Sequence, residues 1–372
     1  MLLPGAKLGV LGGGQLGRMF CVAARTMGYQ TVVFDPDPQS PAGQIADLHI
    51  QAAFDDHAAL DRMIDGCDAV TTEFENIPAD CMRYIAAKRP VFPSPEAVET
   101  AQNRIREKTF AHQSGVETAP FAAVTNEDEL VSAVEMVGVP AILKTATLGY
   151  DGKGQQVVND LQQAQDAFRS MHGVPCVLEK KLVLKREISA LLARNTCGQI
   201  QCYPPAENEH RNGILHQSIV PARVSDALAL KAQQQAIQLA EALDYVGVLA
   251  VEFFITEDDQ LVFNEMAPRP HNSGHYTKDA AVTSQFEQQV RVMCGLVPGD
   301  ARLISPVVMV NLLGDLWDPH WEVLLQEANI KLHLYGKNEA RPGRKMGHFN
   351  VLSDNIDSAI ESADRVFRQL SA

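Results

Sequence analysis

Short apolar runs alternate along the chain with stretches of helical spacing. Lys7-Leu-Gly-Val-Leu11 reads as a buried strand, residues 18–27 as a helix closed by Gly28, and Thr31-Val-Val-Phe34 as the next strand. Further strands are expected at 69–76, 139–144, 157–158, 176–180, 187–192, 247–255, 261–266, 306–313 and 331–335. Helices are expected at 103–113, 127–137, 228–243 and 354–370. Residues 257–260 read as a four-residue turn joining two strands into a hairpin. The pattern is α/β. It opens on a Rossmann-like βαβ unit and divides into segments 1–109, 110–184 and 185–372, the last with a small terminal part from about 316.

The chain has 372 residues, room for two or three domains at roughly 150 residues each. A net charge of −14 argues against wholesale nucleic-acid binding, though local arginines still decide whether a small anion binds. Seven cysteines without a CxxC pair fit a reduced, cytoplasmic protein. Cys197 and Cys202, the nearest pair, read as ordinary thiols. No apolar run approaches the roughly 20 residues of a membrane span, and no signal peptide is evident at the N-terminus.

Candidate chemistry sits at strand ends. Gly12-Gly-Gly-Gln-Leu-Gly17 satisfies G-x-G-x-x-G, which brings backbone N–H groups to a phosphate at a helix N-terminus, and Asp35 stands where a dinucleotide's ribose would be bound. An NAD-dependent oxidoreductase is therefore the first candidate. Glu73, Glu75 and Asn76 end a later strand facing the same crevice. In the middle segment, Lys144 and Lys153 flank Gly149, Gly152 and Gly154, a flap suited to covering a polyphosphate, although no Walker A pattern is present. The backbone of residues 179–182 is placed to bond an adenine edge, and Glu187 to bind a ribose.

The hairpin carries the sharpest expectation. A turn symmetric about 257–260 sets Thr256 opposite Leu261, Phe254 opposite Phe263 and Glu252 opposite Glu265. Opposed carboxylates repel or share a proton, and a divalent cation resolves the conflict. Mg²⁺ with phosphate oxygens suits two carboxylates. Beyond the strand, Arg269 and the run His271-Asn-Ser-Gly-His275 favour anion and substrate contacts. Zinc is disfavoured there because Pro270 and Gly274 oppose a helix. Arg341-Pro-Gly-Arg-Lys-Met-Gly-His348 is a compact basic loop suited to a phosphate or small oxyanion.

Four blocks together, residues 12–19, 149–155, 264–275 and 341–348, resemble the ATP-grasp superfamily, and within it the 5-(carboxyamino)imidazole ribonucleotide synthetases. The resemblance covers nearly the whole chain. It implies a Rossmann-like domain followed by a two-part ATP-grasp fold, and ATP- and bicarbonate-dependent carboxylation of 5-aminoimidazole ribonucleotide through carboxyphosphate. It implies ATP contacts at Arg104, Lys144, Gly149, Tyr150, Asp151, Gly152, Lys153, Gly154, Gln155, Glu179, Lys180, Lys181, Leu182, Glu187, His210, Asn264 and Glu265. Magnesium, two ions with nucleotide bound, falls to Glu252 and Glu265. Ala267 stands where many superfamily members carry an asparagine. Within that reading Arg269 and Lys345 hold the bicarbonate-derived anion, and Tyr150, Asp151 and His271 orient groups or move protons. Gly13, Gly14, Gln15 and Leu16 hold the ribonucleotide phosphate, with Glu73, Asn76, Asn272, Ser273 and Arg344 also on substrate. The resemblance further implies a homodimer. The nearest alternative is a formate-dependent glycinamide ribonucleotide formyltransferase.

Overall fold

A computed structural model describes residues 1–147, 149, 154–317 and 321–371. Tyr150, Asp151, Gly152 and Lys153 therefore lie outside the described residues. Three sheets organise the described residues. The first is parallel: β1 (Lys7–Leu11), β2 (Gln30–Phe34), β3 (Leu48–Ile50), β4 (Ala69–Thr72) and β5 (Val91–Phe92), in the order β3-β2-β1-β4-β5. The second is antiparallel: β6 (Phe121–Val124), β7 (Ala141–Thr145), β8 (Gln155–Val158) and β9 (Cys176–Lys180), ordered β6-β9-β7-β8.

The third sheet is large and antiparallel. Its strands are β10 (Leu184–Arg194), β11 (Ile200–Cys202), β12 (Ala206–Arg211), β13 (Ile214–Val220), β14 (Gly247–Thr256), β15 (Leu261–Ala267), β16 (Val307–Leu313), β17 (Ile330–Leu334) and β18 (Lys345–Leu352). They run β15-β14-β10-β12-β13-β16-β18-β17, with β11 beside β10. The strands after residue 316 form the far edge of this sheet. The helix Arg104–Gln113 leads from the first segment into the second and packs on β15.

Several expected bounds shift for local reasons. The first helix is Gln15–Thr26, begun by Gly14 and followed by Gly28 at φ +84°, a left-handed position that favours glycine. The 69–76 strand stops at Thr72, whose hydroxyl bonds both the N–H and the carbonyl of Phe74 and turns the chain away. Asn103 caps the Arg104–Gln113 helix by accepting from the N–H groups of Ile105 and Arg106.

The hairpin keeps the expected Glu252–Glu265 pairing but reaches it differently. Near the turn, Ile255 faces Leu261 and Phe254 faces Val262, one residue off the symmetric register. Asn264 is an extra residue in β15, and this bulge restores Glu252 opposite Glu265. Phe253 and Phe263 meet edge-to-face at 6.4 Å in the core beneath. The bulge has a second effect. Neighbouring strand residues normally point to opposite faces, yet Asn264 and Glu265 both reach the same cavity.

Candidate active site

A cavity of about 920 Å³ opens where the three sheets meet. One half is lined by Lys144, Gly149, Gln155, Glu179, Lys180, Leu182, Glu187, His210 and Asn264. The other half is lined by Gln15, Leu16, Glu73, Glu75, Asn76, Arg269, His271, Asn272 and Lys345. Arg104, Glu252 and Glu265 lie on the same wall. Lys181, Ser273 and Arg344 were expected here and are not among the lining residues. Ser273 is buried and bonds Ser189 Oγ at 2.8 Å and His271 Nδ1 at 2.8 Å, so it holds the histidine and does not face a ligand. The Arg344 guanidinium donates to the Glu339 carbonyl at 2.7 Å.

In the first half, Glu179 Oε2 accepts from Lys144 Nζ at 2.9 Å and pairs with Lys108 Nζ at 3.2 Å. All three groups are almost wholly buried. The two ammonium groups outweigh burial and keep the Glu179 carboxyl below its ordinary value. Glu187 Oε2 pairs with His210 Nδ1 at 3.0 Å. Burial works against a charged His210, but Glu187 and the nearby Glu252 and Glu265 raise its pKa on balance. Gly154 sits at φ +71°, and a Cβ there would meet Thr145 Oγ1 at 2.7 Å, so the chain enters β8 only with glycine.

At the centre, burial and then the Glu265 carboxylate push Glu252 upward, the conflict expected of an opposed pair. Arg104 donates to Glu265 Oε2 at 3.1 Å, and His271 Nε2 lies 3.5 Å from Glu252 Oε1. Two hard carboxylate donors facing open space, one of them costly to ionise without a cation, fit a magnesium ion that completes its shell with phosphate and water. Among the described residues no third histidine, cysteine or carboxylate joins them as a ligand group.

Sequence reasoning missed what sets this pair in place. From one turn of the Arg104–Gln113 helix, Lys108 Nζ bonds the Asn264 carbonyl at 3.1 Å and Glu107 Oε1 accepts from the Met266 N–H at 2.6 Å. With Arg104 on Glu265, three helix residues hold three consecutive residues of β15. The i, i+3 and i+4 spacing was readable, but it looked like an ordinary amphipathic face.

The glycine loop departs from expectation. The Gly13 N–H donates to Asp35 Oδ2 at 2.7 Å. Gly14 donates to Glu73 Oε1 at 2.7 Å, and Leu16 and Gly17 donate to Glu73 Oε2 at 3.1 and 3.0 Å. The chain's own carboxylates therefore take the N–H groups assigned to a phosphate at Gly13, Gly14 and Leu16, and Asp35 and Glu73 are engaged as well. The dinucleotide reading loses both its anion site and its ribose acid. Gln15 and Leu16 stay on the cavity wall.

In the second half, Arg269 Nε is ion-paired with Glu75, and its NH1 donates to the Pro270 carbonyl at 3.0 Å. Burial, then Arg269 and Lys345, push His271 down to about 3, so the ring is a neutral imidazole. Both side-chain amide atoms of Asn272 are buried and have no hydrogen-bond partner among the described residues. Lys337 Nζ bonds the Lys345 carbonyl at 2.7 Å, and burial with Arg344 and Lys345 nearby lowers its pKa to about 8.

A cavity lined by buried lysines, an opposed carboxylate pair and two antiparallel sheets defines an ATP-grasp ligase. Residues 109–286 match the ATP-grasp domain, residues 5–102 the ribonucleotide synthetase preATP-grasp domain, and residues 307–362 the phosphoribosylaminoimidazole carboxylase C-terminal domain. The chain is 44% identical over 366 residues to the N5-carboxyaminoimidazole ribonucleotide synthase of Bacillus subtilis, covering 97% of this chain and 95% of that one. It is 45% identical to the Brucella melitensis enzyme of the same name, covering 93% and 96%. The N5-carboxyaminoimidazole synthase of Aspergillus clavatus, solved with ADP and 5-aminoimidazole ribonucleotide, superposes with a TM-score of 0.90 at 32% identity, covering all of both chains. The chain belongs to the N5-carboxyaminoimidazole ribonucleotide synthase family, and so uses ATP.

Proposed function

We propose that the chain joins bicarbonate to the exocyclic amine of 5-aminoimidazole ribonucleotide, forming N5-carboxyaminoimidazole ribonucleotide with ADP and phosphate as by-products. The observation that carries this is the single cavity that Lys144, Glu179, Glu187, Arg269, His271 and Lys345 line together with Glu252 and Glu265. Bicarbonate is a poor electrophile, because negative oxygens flank its carbon. Transfer of the γ-phosphoryl group makes carboxyphosphate, whose phosphate can leave when the amine attacks. That transfer needs positioning and charge neutralisation. Lys144 and Arg104 supply positive charge from the protein, and Lys144 exchanges Glu179 for phosphate when nucleotide binds. Glu252 and Glu265 would hold magnesium, which neutralises phosphate charge when bound. Arg269 and Lys345 bind the bicarbonate-derived anion. Asn272, on the cavity wall, lies against the ribonucleotide. Tyr150 and Asp151 keep the orienting roles that the resemblance gives them.

Because the chain's own carboxylates hold the glycine-loop amides, the ribonucleotide phosphate is better placed beside Lys345, which Lys337 braces through the Lys345 carbonyl. The cysteines of the chain are all free thiols, which supports a reducing, cytoplasmic setting. No helix among the described residues is long and apolar enough to cross a membrane. A homodimer is part of the same reading, and sedimentation equilibrium tests it. The reaction itself is tested by ATP hydrolysis with aminoimidazole ribonucleotide plus bicarbonate, against glycinamide ribonucleotide plus formate. Stimulation by the second pair alone would replace this reading with the formyltransferase.

A further inference from the structure

The attacking amine must lose a proton, and the cavity holds few groups able to take it. Glu73 is committed to the N–H groups of Gly14, Leu16 and Gly17. Glu252 and Glu265 are the metal pair. His271 points one ring nitrogen at Ser273 and the other toward Glu252, so both of its nitrogens are engaged. Among the described carboxylates of the substrate half, Glu75 remains. It stands two residues beyond Glu73, past the end of β4, on the wall of the main cavity and of a side cavity of about 80 Å³. Its backbone is fixed from behind, where Gln102 Nε2 donates to the carbonyls of Glu75 at 2.6 Å and Ile77 at 2.7 Å.

The position of Glu75 follows from its partner. Arg269 is the guanidinium assigned to the bicarbonate-derived anion, and Glu75 is paired with that same guanidinium. An amine about to attack the anion's carbon lies about 3–3.5 Å from it. A carboxylate and an anion sharing one arginine are neighbours, which sets Glu75 on the side from which the amine approaches. We propose that Glu75 is the base that receives the proton of the attacking amine. This rests on the carboxylation reading above. In the step, the amine nitrogen forms a bond to the carbonyl carbon of carboxyphosphate. The bond from that carbon to the bridging oxygen breaks, and inorganic phosphate leaves with the electron pair. The amine proton passes to Glu75 and from there to the departing phosphate.

The resting pair also explains how the base is kept ionised. Burial alone would raise the Glu75 carboxyl, but Arg269 outweighs it and holds it below the ordinary range. The groups facing it are Arg269 and His271 from beyond β15, and Arg104, Glu107 and Glu265 across the side cavity. When an anion takes up part of Arg269, Glu75 loses counter-charge and becomes more basic at the moment a base is needed.

The test compares wild type with Glu75→Gln and Glu75→Asp, using aminoimidazole ribonucleotide, bicarbonate and Mg–ATP. General-base catalysis contributes about 10²–10⁴-fold. Glu75→Gln should therefore lower kcat by roughly 100-fold or more while the KM for bicarbonate moves less than about threefold. The acid-side fall of the wild-type kcat profile should vanish in Glu75→Gln and persist, at reduced rate, in Glu75→Asp. A kcat within about threefold of wild type, or an acid limb that survives in Glu75→Gln, overturns the proposal. So does a tenfold or larger rise in the bicarbonate KM with kcat unchanged, which would leave Glu75 only as a holder of Arg269. Wild-type ATP turnover indifferent to the ribonucleotide and to bicarbonate would remove the carboxylation reading as well, a result distinct from all of these.

Discussion

Replacing Glu107 by glutamine should change how stability depends on pH in the metal-free protein. Glu107 is buried at 2% exposure, and its carboxyl is raised from 4.5 to about 8, first by burial and then by Glu265. The native protein therefore keeps a proton on Glu107 that the unfolded chain has released. Stability from this group is fully present below about pH 4.5 and is lost as pH rises through 8. A shift of that size corresponds to about 5 kcal/mol. Reorientation of Arg104 and Lys108 around an ionised Glu107 would reduce it, so about 2–5 kcal/mol is expected. Glutamine keeps the acceptor for the Met266 N–H and removes the titration. Urea unfolding in EDTA at pH 5 and pH 9 measures it. The two proteins should be close at pH 5, and the variant should be the more stable by that margin at pH 9. Parallel curves, with a gap that does not grow with pH, would mean that Glu107 is already ionised and that its helix neighbours, not burial, set its charge.

Glu265→Ala should abolish turnover at ordinary Mg²⁺, and wild-type kcat in that variant would remove the metal assignment. Lys108→Met leaves Glu179 with Lys144 alone and takes the ammonium donor from the Asn264 carbonyl. Breaking a buried pair from one side costs about 3–5 kcal/mol, so a clearly lowered thermal midpoint is expected, and an unchanged midpoint would reject the buried triad. Lys337→Met should raise the ribonucleotide KM about tenfold, equivalent to about 1.4 kcal/mol, while the KM for ATP stays put. A rise in the ATP KM instead would move the basic loop to the other half of the cavity.

The elements with a clean period were readable from sequence: β1, β2, β9, β14, β16 and the helices near them all fall within a few residues of expectation. The carboxylate pairing was readable too, because side chains on a hairpin alternate and both acids sat at the same distance from an obvious turn. The bulge at Asn264 was not, since one extra residue leaves no mark on hydrophobic alternation. The glycine loop was misread for a related reason. G-x-G-x-x-G announces free N–H groups at a helix start, but it says nothing of which anion takes them, and Glu73 arrives from 59 residues beyond Gly14. The buried face of the Arg104–Gln113 helix was hidden in the same way, because arginine, glutamate and lysine at helical spacing look like a solvated surface until β15 is laid across them. β12 and β13, with their polar residues Glu207, Asn208, Gln217 and Ser218 buried, carry too little apolar contrast to stand out.

The bulge separates two jobs within one hairpin. The tip, residues 257–260, is exposed, while the register at Glu252 and Glu265 is held from the side by Arg104, Glu107 and Lys108. Turn length therefore does not dictate the alignment of the acids. The tip is a natural point of attachment for a fluorophore or a peptide tag, because an inserted residue there is absorbed before it reaches the chemistry.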